Sequence, residues 1–220
     1  RGGGLVGLGS KGVVESSFNV GDVISLSTEV GTDKTSGYGI GGLAGQGTAV
    51  FTDCYNMGIV TGANQVGGLV GVPRSGHTQI IRCYNAGKIV AQSDECGSLI
   101  GADLSDSYWN SENKVESSYF VTDYGTHHND TIGTTITIAE LAKTDMGNGW
   151  TAGDDYTLPI PTTQISEPYA LINAVTIAFA EGDSKNSITK DFFVGAPEGV
   201  NWTSSVANIS FSGFNALFDD

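Results

Sequence analysis

Basic residues are scarce in this chain. Ten Lys and Arg stand against 24 Asp and Glu, a formal net charge of -14. Phosphate contacts need clustered Lys and Arg, so the composition excludes nucleic acid as a partner. Attraction to an anionic membrane surface is excluded for the same reason. Charge of both signs is thin, at 15% of residues, against roughly 25% in ordinary soluble domains. No apolar run reaches the length of about 18 residues that spans a bilayer, so direct membrane insertion is not expected. The chain opens Arg1-Gly2-Gly3-Gly4, without Met and without a basic segment leading into an apolar one. It therefore reads as a processed mature form or an excised fragment.

Glycine is what the sequence has in excess, 32 of 220 residues, about twice its usual share. Glycine is a poor helix former, so long helices are not expected. Hydrophobic residues make up 39%, enough to build a core. The composition predicts an all-β protein.

Internal repeats sharpen that expectation. Gly3-Gly4-Leu5-Val6-Gly7 recurs as Gly41-Gly42-Leu43-Ala44-Gly45 and Gly67-Gly68-Leu69-Val70-Gly71, with a degenerate copy at Gly97-Ser98-Leu99-Ile100-Gly101. A second signature follows each: Ser17-Phe18-Asn19-Val20-Gly21, Cys54-Tyr55-Asn56-Met57-Gly58, Cys83-Tyr84-Asn85-Ala86-Gly87, and a worn Ser118-Tyr119-Phe120. After the first three comes a β-branched strand start, at Val23, Ile59-Val60 and Ile89-Val90. Units of about 26 to 38 residues, with short β-prone blocks between turns, suit a solenoid better than propeller blades of about 40 or more. The expected architecture is a short parallel β-helix of about four rungs, roughly 4.8 Å apart.

Stacking turns equivalent residues into columns. One column is Phe18, Tyr55, Tyr84 and Tyr119; beside it run Ser17, Cys54, Cys83 and Ser118. A third is Asn19, Asn56 and Asn85, broken at Phe120. Stacked Asn side chains can bond amide to amide along a ladder. Gly21, Gly58 and Gly87 are expected to supply turn conformations that other residues resist. Strict alternation leaves the facing of the Cys and aromatic columns open, because Asp53 and Arg82 fall on the same nominal face as apolar positions. A bulge would reconcile them.

The paired GGLVG and CYNxGxV pattern resembles the GLUG repeat of bacterial cell-surface proteins. These include adhesin-like proteins and the N-terminal, non-catalytic regions of immunoglobulin A1 metallopeptidases. The resemblance spans roughly residues 1–160 and implies an extracellular, cell-surface setting. It implies no particular activity.

Three units are expected: a GLUG-repeat β-helix over 1–158, a Pro/Thr-rich linker over 159–172, and a β module over 173–220. The linker assignment rests on Pro159, Pro161 and Pro168 among Thr162, Thr163 and Ser166. The last segment resembles a bacterial immunoglobulin-like module, with strands at Ala174–Phe179 and around Val206-Ile209-Phe211. Its length is below the roughly 100 residues of a full sandwich, so it is either incomplete or completed by a partner strand.

Candidate chemistry is sparse. Cys54 and Cys83, on adjacent rungs, fit either a disulfide or a column of buried thiols; Cys96 is expected buried and inert. The three histidines, His77, His127 and His128, form no HExxH, and no CxxC is present. His127-His128 with Asn129-Asp130 could gather a metal only from a loop. Asp103, Asp106 and Glu112 lie near Tyr108 and Trp109, an acid and aromatic cluster that could serve a glycan groove or belong to a surface loop. Asp154-Asp155 reads as a solvated turn or a weak calcium site. Sequons stand at Asn129, Asn201 and Asn208. No motif demands a cofactor. The expected function is non-enzymatic: adhesion, spacing or self-assembly at a cell surface, with a filament subunit as its sharpest form. Expected partners are other surface proteins, host or matrix glycans, or copies of the chain. A glycan-binding or glycan-cleaving β-helix, and a non-catalytic part of a large peptidase, stand as alternatives.

Overall fold

A computed structural model describes residues 1–27, 39–73, 78–102, 109, 111–153, 157–164, 209–212 and 215–218. Within these the chain is built of short strands, with one helix, Ile138–Ala142. The strands assemble mainly into parallel sheets, which fit a β-helix.

Equivalent blocks of successive repeats pair with one another. Gly2–Gly3, Ile40–Gly41, Val66–Gly67 and Cys96–Gly97 form one sheet in that order. Val6–Glu15 pairs along Ala44–Thr52, which also pairs with Val70–Pro73 and Gln79–Ile81; the last of these pairs with Lys114–Glu116. Phe18–Asn19, Tyr55–Asn56, Tyr84–Asn85 and Tyr119–Val121 make a third sheet, extended by Thr134–Ile136. Val23–Ile24, Val60–Gly62 and Ile89–Ala91 make a fourth. The β-branched starts Val23, Val60 and Ile89 are thus in register.

Between the second and third sheets each coil turns on a non-glycine residue in the left-handed region. These residues are Ser16 (φ 46°), Asp53 (φ 55°), Arg82 (φ 49°) and Ser117 (φ 46°). The turn resolves the facing of the columns by breaking the two-residue alternation. Phe51 and Cys54, three apart, both enter one cluster with Leu43, Leu69, Ile80, Cys83, Leu99 and Phe120. Tyr55 and Tyr84 point the other way and pack with Ile138, Leu141, Met146, Trp150 and Leu158.

Gly21, Gly58 and Gly87 do not adopt positive φ, contrary to expectation. At Gly58 and Gly87 the constraint is space: a Cβ on Gly58 would collide with Gly21 O, and one on Gly87 with Gly58 O. These glycines let neighbouring coils approach at the corner.

Residues 137–153 and 157–164 fold back over the aromatic column. Thr137 and Glu140 form a capping box at the start of the helix, with Glu140 N donating to Thr137 Oγ1 and Thr137 N to Glu140 Oε2. Trp150–Thr151 pairs antiparallel with Ile160–Pro161. Pro159 and Pro161 are buried, so this part of the expected linker is packed rather than free. Residues 165–172 and the expected strand Ala174–Phe179 lie outside the described residues. Near the end of the chain, Ile209–Ser212 pairs antiparallel with Asn215–Phe218.

Candidate functional site

The Ser/Cys–aromatic–Asn corner concentrates the molecule's side-chain chemistry. Ser17, Cys54, Cys83 and Ser118 each donate to the carbonyl two residues earlier: Glu15, Thr52, Ile81 and Glu116. Two of these atoms also receive backbone amides from the neighbouring coil, Cys83 Sγ from Cys54 N at 3.4 Å and Ser118 Oγ from Cys83 N at 3.0 Å. Hydroxyl and thiol are therefore interchangeable here, as linkers between coils. All three cysteines are free and buried. Burial pushes the Cys83 thiol well up, and the Cys96 thiol up too, away from the nucleophilic thiolate.

The Asn column is a ladder. Asn19 Nδ2 donates to Asn56 Oδ1 at 2.7 Å, and Asn56 Nδ2 to Asn85 Oδ1 at 2.8 Å. Each amide also donates to the carbonyl two residues on, at Gly21, Gly58 and Gly87. Facing the ladder is the second glycine of each GGLVG block. A Cβ on Gly42 would collide with the Asn56 amide, and one on Gly68 with that of Asn85. The two signatures of the repeat are thus halves of one contact. In the fourth copy Phe120 replaces the Asn, and Ser98 stands in place of the glycine. Ser98 N and Oγ donate to Asp130 at 2.6 and 3.0 Å.

The aromatic column stacks face to face. Ring centroids are 5.1 Å apart for Phe18–Tyr55 and 5.0 Å for Tyr55–Tyr84, within 12° of parallel. Trp150 tilts against both tyrosines. Tyr84 OH donates to Pro159 O at 2.8 Å, and Tyr55 OH to Gln164 Oε1 at 3.1 Å. Burial pushes Tyr55 up to about 12, with the Gln164 bond opposing it, and pushes Tyr84 well above its ordinary value. Beside them Asp53 holds Arg82 through two bonds, at 2.7 and 2.8 Å. That pairing raises the Arg82 pKa above its ordinary value.

A second feature is a shallow cleft of about 420 Å³, lined by Lys88, Val90, Asp94, Cys96, His127 and His128 among others. Cys96 Sγ and His127 Nδ1 lie 3.7 Å apart within it. Among the described residues no three His, Cys, Asp or Glu side chains converge where they could hold a metal.

Of the remaining candidates, Trp109 packs against the cluster that holds Cys54 and Cys83. Glu112 is exposed, while His77, Asp103, Asp106, Tyr108, Asp154 and Asp155 lie outside the described residues. Of the sequons, Asn201 and Asn208 also lie outside them. Asn129 is buried and its Nδ2 donates to Gly101 O at 2.6 Å. A glycan on Asn129 would have to break that bond. Sequence reasoning missed Trp150 and Gln164 as partners of the columns, and no local signal marks them. The opposite charges at repeat-equivalent positions 53 and 82 were a signal for their pairing. No family model, curated protein or solved structure matches this chain.

Proposed function

We propose that residues 1–158 form a short parallel β-helix serving as a non-enzymatic scaffold. In this reading it spaces or joins neighbouring modules at an extracellular cell surface, as the resemblance to GLUG-repeat proteins implies. One observation carries the scaffold reading. Equivalent residues bond from coil to coil in columns, and most of the polar side chains in those columns spend their donors within the stack. Such a corner supports length and stiffness rather than turnover. The first and last described coils differ in burial and pairing. Leu5 is 43% exposed in the first coil, while Leu43, Leu69 and Leu99 are 0 to 2% exposed. At the far end Thr134–Ile136 adds a strand beyond Tyr119–Val121.

Two measurements test this reading. Antibody labelling of intact cells bearing the protein should give signal without permeabilisation; signal only after lysis would place it inside and sink the surface reading. Incubation with polysaccharides should release no reducing sugar above background. Release by the pure chain would overturn the non-enzymatic assignment.

A further inference from the structure

The sequence holds one Asn-Gly step, Asn148-Gly149. The fold places it where the covering segment is tied to the coils. Residues Gly147 to Trp150 form a turn, closed by Trp150 N donating to Gly147 O at 3.2 Å. Gly149 lies at φ 99°, where a side chain would be strained, so the turn itself demands glycine after Asn148. Gly147, Asn148 and Gly149 are exposed, while Trp150 behind them is buried. Neither the Asn148 amide nor Gly149 N donates a hydrogen bond among the described residues. Beneath the turn lies the ion pair of adjacent coils. A Cβ on Gly149 would meet Asp53 Oδ2 at 3.5 Å, and one on Gly147 would meet Arg82 Cδ at 3.7 Å. Trp150 Nε1 donates to Asp53, and Gly149 O accepts Thr162 N at 2.8 Å and Thr162 Oγ1 at 3.2 Å. The main chain at Asn148 therefore sets the placing of every one of these bonds.

We infer that Asn148 is a site of spontaneous deamidation, and that the product loosens the covering segment from Asp53. Glycine carries no Cβ, so the nitrogen of Gly149 is open to approach from the Asn148 side chain. Gly149 N gives its proton to solvent base and bonds to Asn148 Cγ. The Cγ–Nδ2 bond breaks, and ammonia leaves with a proton from water. Water then opens the five-membered imide at either carbonyl. Opening at the side-chain carbonyl leaves an ordinary aspartyl residue; opening at the main-chain carbonyl leaves isoaspartyl, with the chain running through Cβ. Nothing is oxidised or reduced, and water is the one co-reactant. The isoaspartyl product carries an extra main-chain carbon inside the turn and an extra negative charge beside Asp53. Thr162 holds one side of the turn, so the added carbon displaces Trp150 on the other, and its bond to Asp53 loses its geometry. This goes beyond the scaffold reading: the tie between cover and coils slackens with age, in one direction.

The test ages the full chain at neutral and at mildly alkaline pH and maps its peptides by mass spectrometry. Asn148 should convert before the other asparagines, with the mass change of amide to acid, and faster at the higher pH. Isoaspartyl methyltransferase should label the product. Asn148→Gln should abolish that labelling, because a glutamine closes its larger ring far more slowly. The modified chain, separated by anion exchange, should unfold at a lower urea concentration than the fresh chain. Asn148→Asp adds the charge without the carbon and should lower the midpoint less. On a Trp150→Phe background the loss on ageing should shrink by about half or more, since the two changes share one bond. Conversion at Asn148 no faster than at the other asparagines overturns the site. An unchanged midpoint in the modified chain, or an equal loss on the Trp150→Phe background, overturns the link to Asp53. Neither result touches the cell-surface and sugar-release tests.

Discussion

Trp150 Nε1 donates to Asp53 Oδ1 at 2.8 Å, the same oxygen that receives Arg82 Nε at 2.7 Å. One carboxylate thus ties two adjacent coils to the segment that covers them, from a residue 97 positions away in sequence. Trp150→Phe keeps an aromatic ring against Tyr84 but removes the donor and part of the buried indole. A hydrogen bond to a charged group contributes about 1.5–3 kcal/mol, and partial exposure places this one near the lower figure. Urea unfolding should show a lower midpoint at unchanged slope; no change in midpoint would show that the bond contributes nothing. Asp53→Ala should cost about 1 kcal/mol more than Asp53→Asn, because Ala resists the φ of 55° that Asn tolerates.

The periodic part of this fold was legible because equivalent residues occupy equivalent places. The Gly-Gly and aromatic-Asn blocks align, and stacking follows from their period. Facing was not legible, because the corner turns on Ser16, Asp53, Arg82 and Ser117, none of them the glycine that usually marks a left-handed residue. Nor was the covering segment. Tyr84 meets Pro159 across 75 residues, and nothing local to Pro159 distinguishes a packed extended stretch from a linker. Prolines fix the backbone in either setting.

Coupling between the two signatures makes the glycines unequal. A Cβ at Gly42 would overlap Gly68 O and the Asn56 amide, backbone and a laddered side chain that cannot step aside. Gly12 has nothing within 4 Å of the same position. Gly42→Ala should therefore cost about 4 kcal/mol or more, among the largest single-site effects, while Gly12→Ala stays within about 0.5 kcal/mol. Thermal unfolding of the two variants checks the contrast. Equal losses would show that the glycine and Asn signatures are not in contact.

Gln46 is the reverse case, a polar residue in register with Leu8 and Val72. It is 1% exposed, and its Oε1 is buried without a hydrogen-bond partner. A buried unsatisfied acceptor costs about 1–3 kcal/mol, and an apolar residue of similar shape removes that cost. Gln46→Leu should raise the unfolding temperature by several degrees, as expected for a gain of about 1 kcal/mol in a domain of this size. A lower unfolding temperature would mean that the amide holds a partner in solution.

The stacked tyrosines make stability fall in alkali. Burial raises Tyr55 to about 12 and Tyr84 well above its ordinary value, so the folded chain keeps two phenol protons that an unfolded tyrosine releases near pH 10. Above pH 10 the folded state then binds more protons than the unfolded one, and stability declines as pH rises. The contribution is complete below pH 10 and is lost on the way to pH 12 and beyond, as the folded groups themselves ionise. Urea midpoints should be level on this account from neutrality to pH 9 and then drop. Absorbance at 295 nm should show a delayed ionisation phase that coincides with loss of the β-sheet circular-dichroism signal. Tyr84→Phe should remove part of that phase and soften the alkaline decline, while losing the bond to Pro159 O at neutral pH. If every tyrosine ionises reversibly near pH 10 with the spectrum of the fold intact, the column is open to water and the covering segment does not close over it.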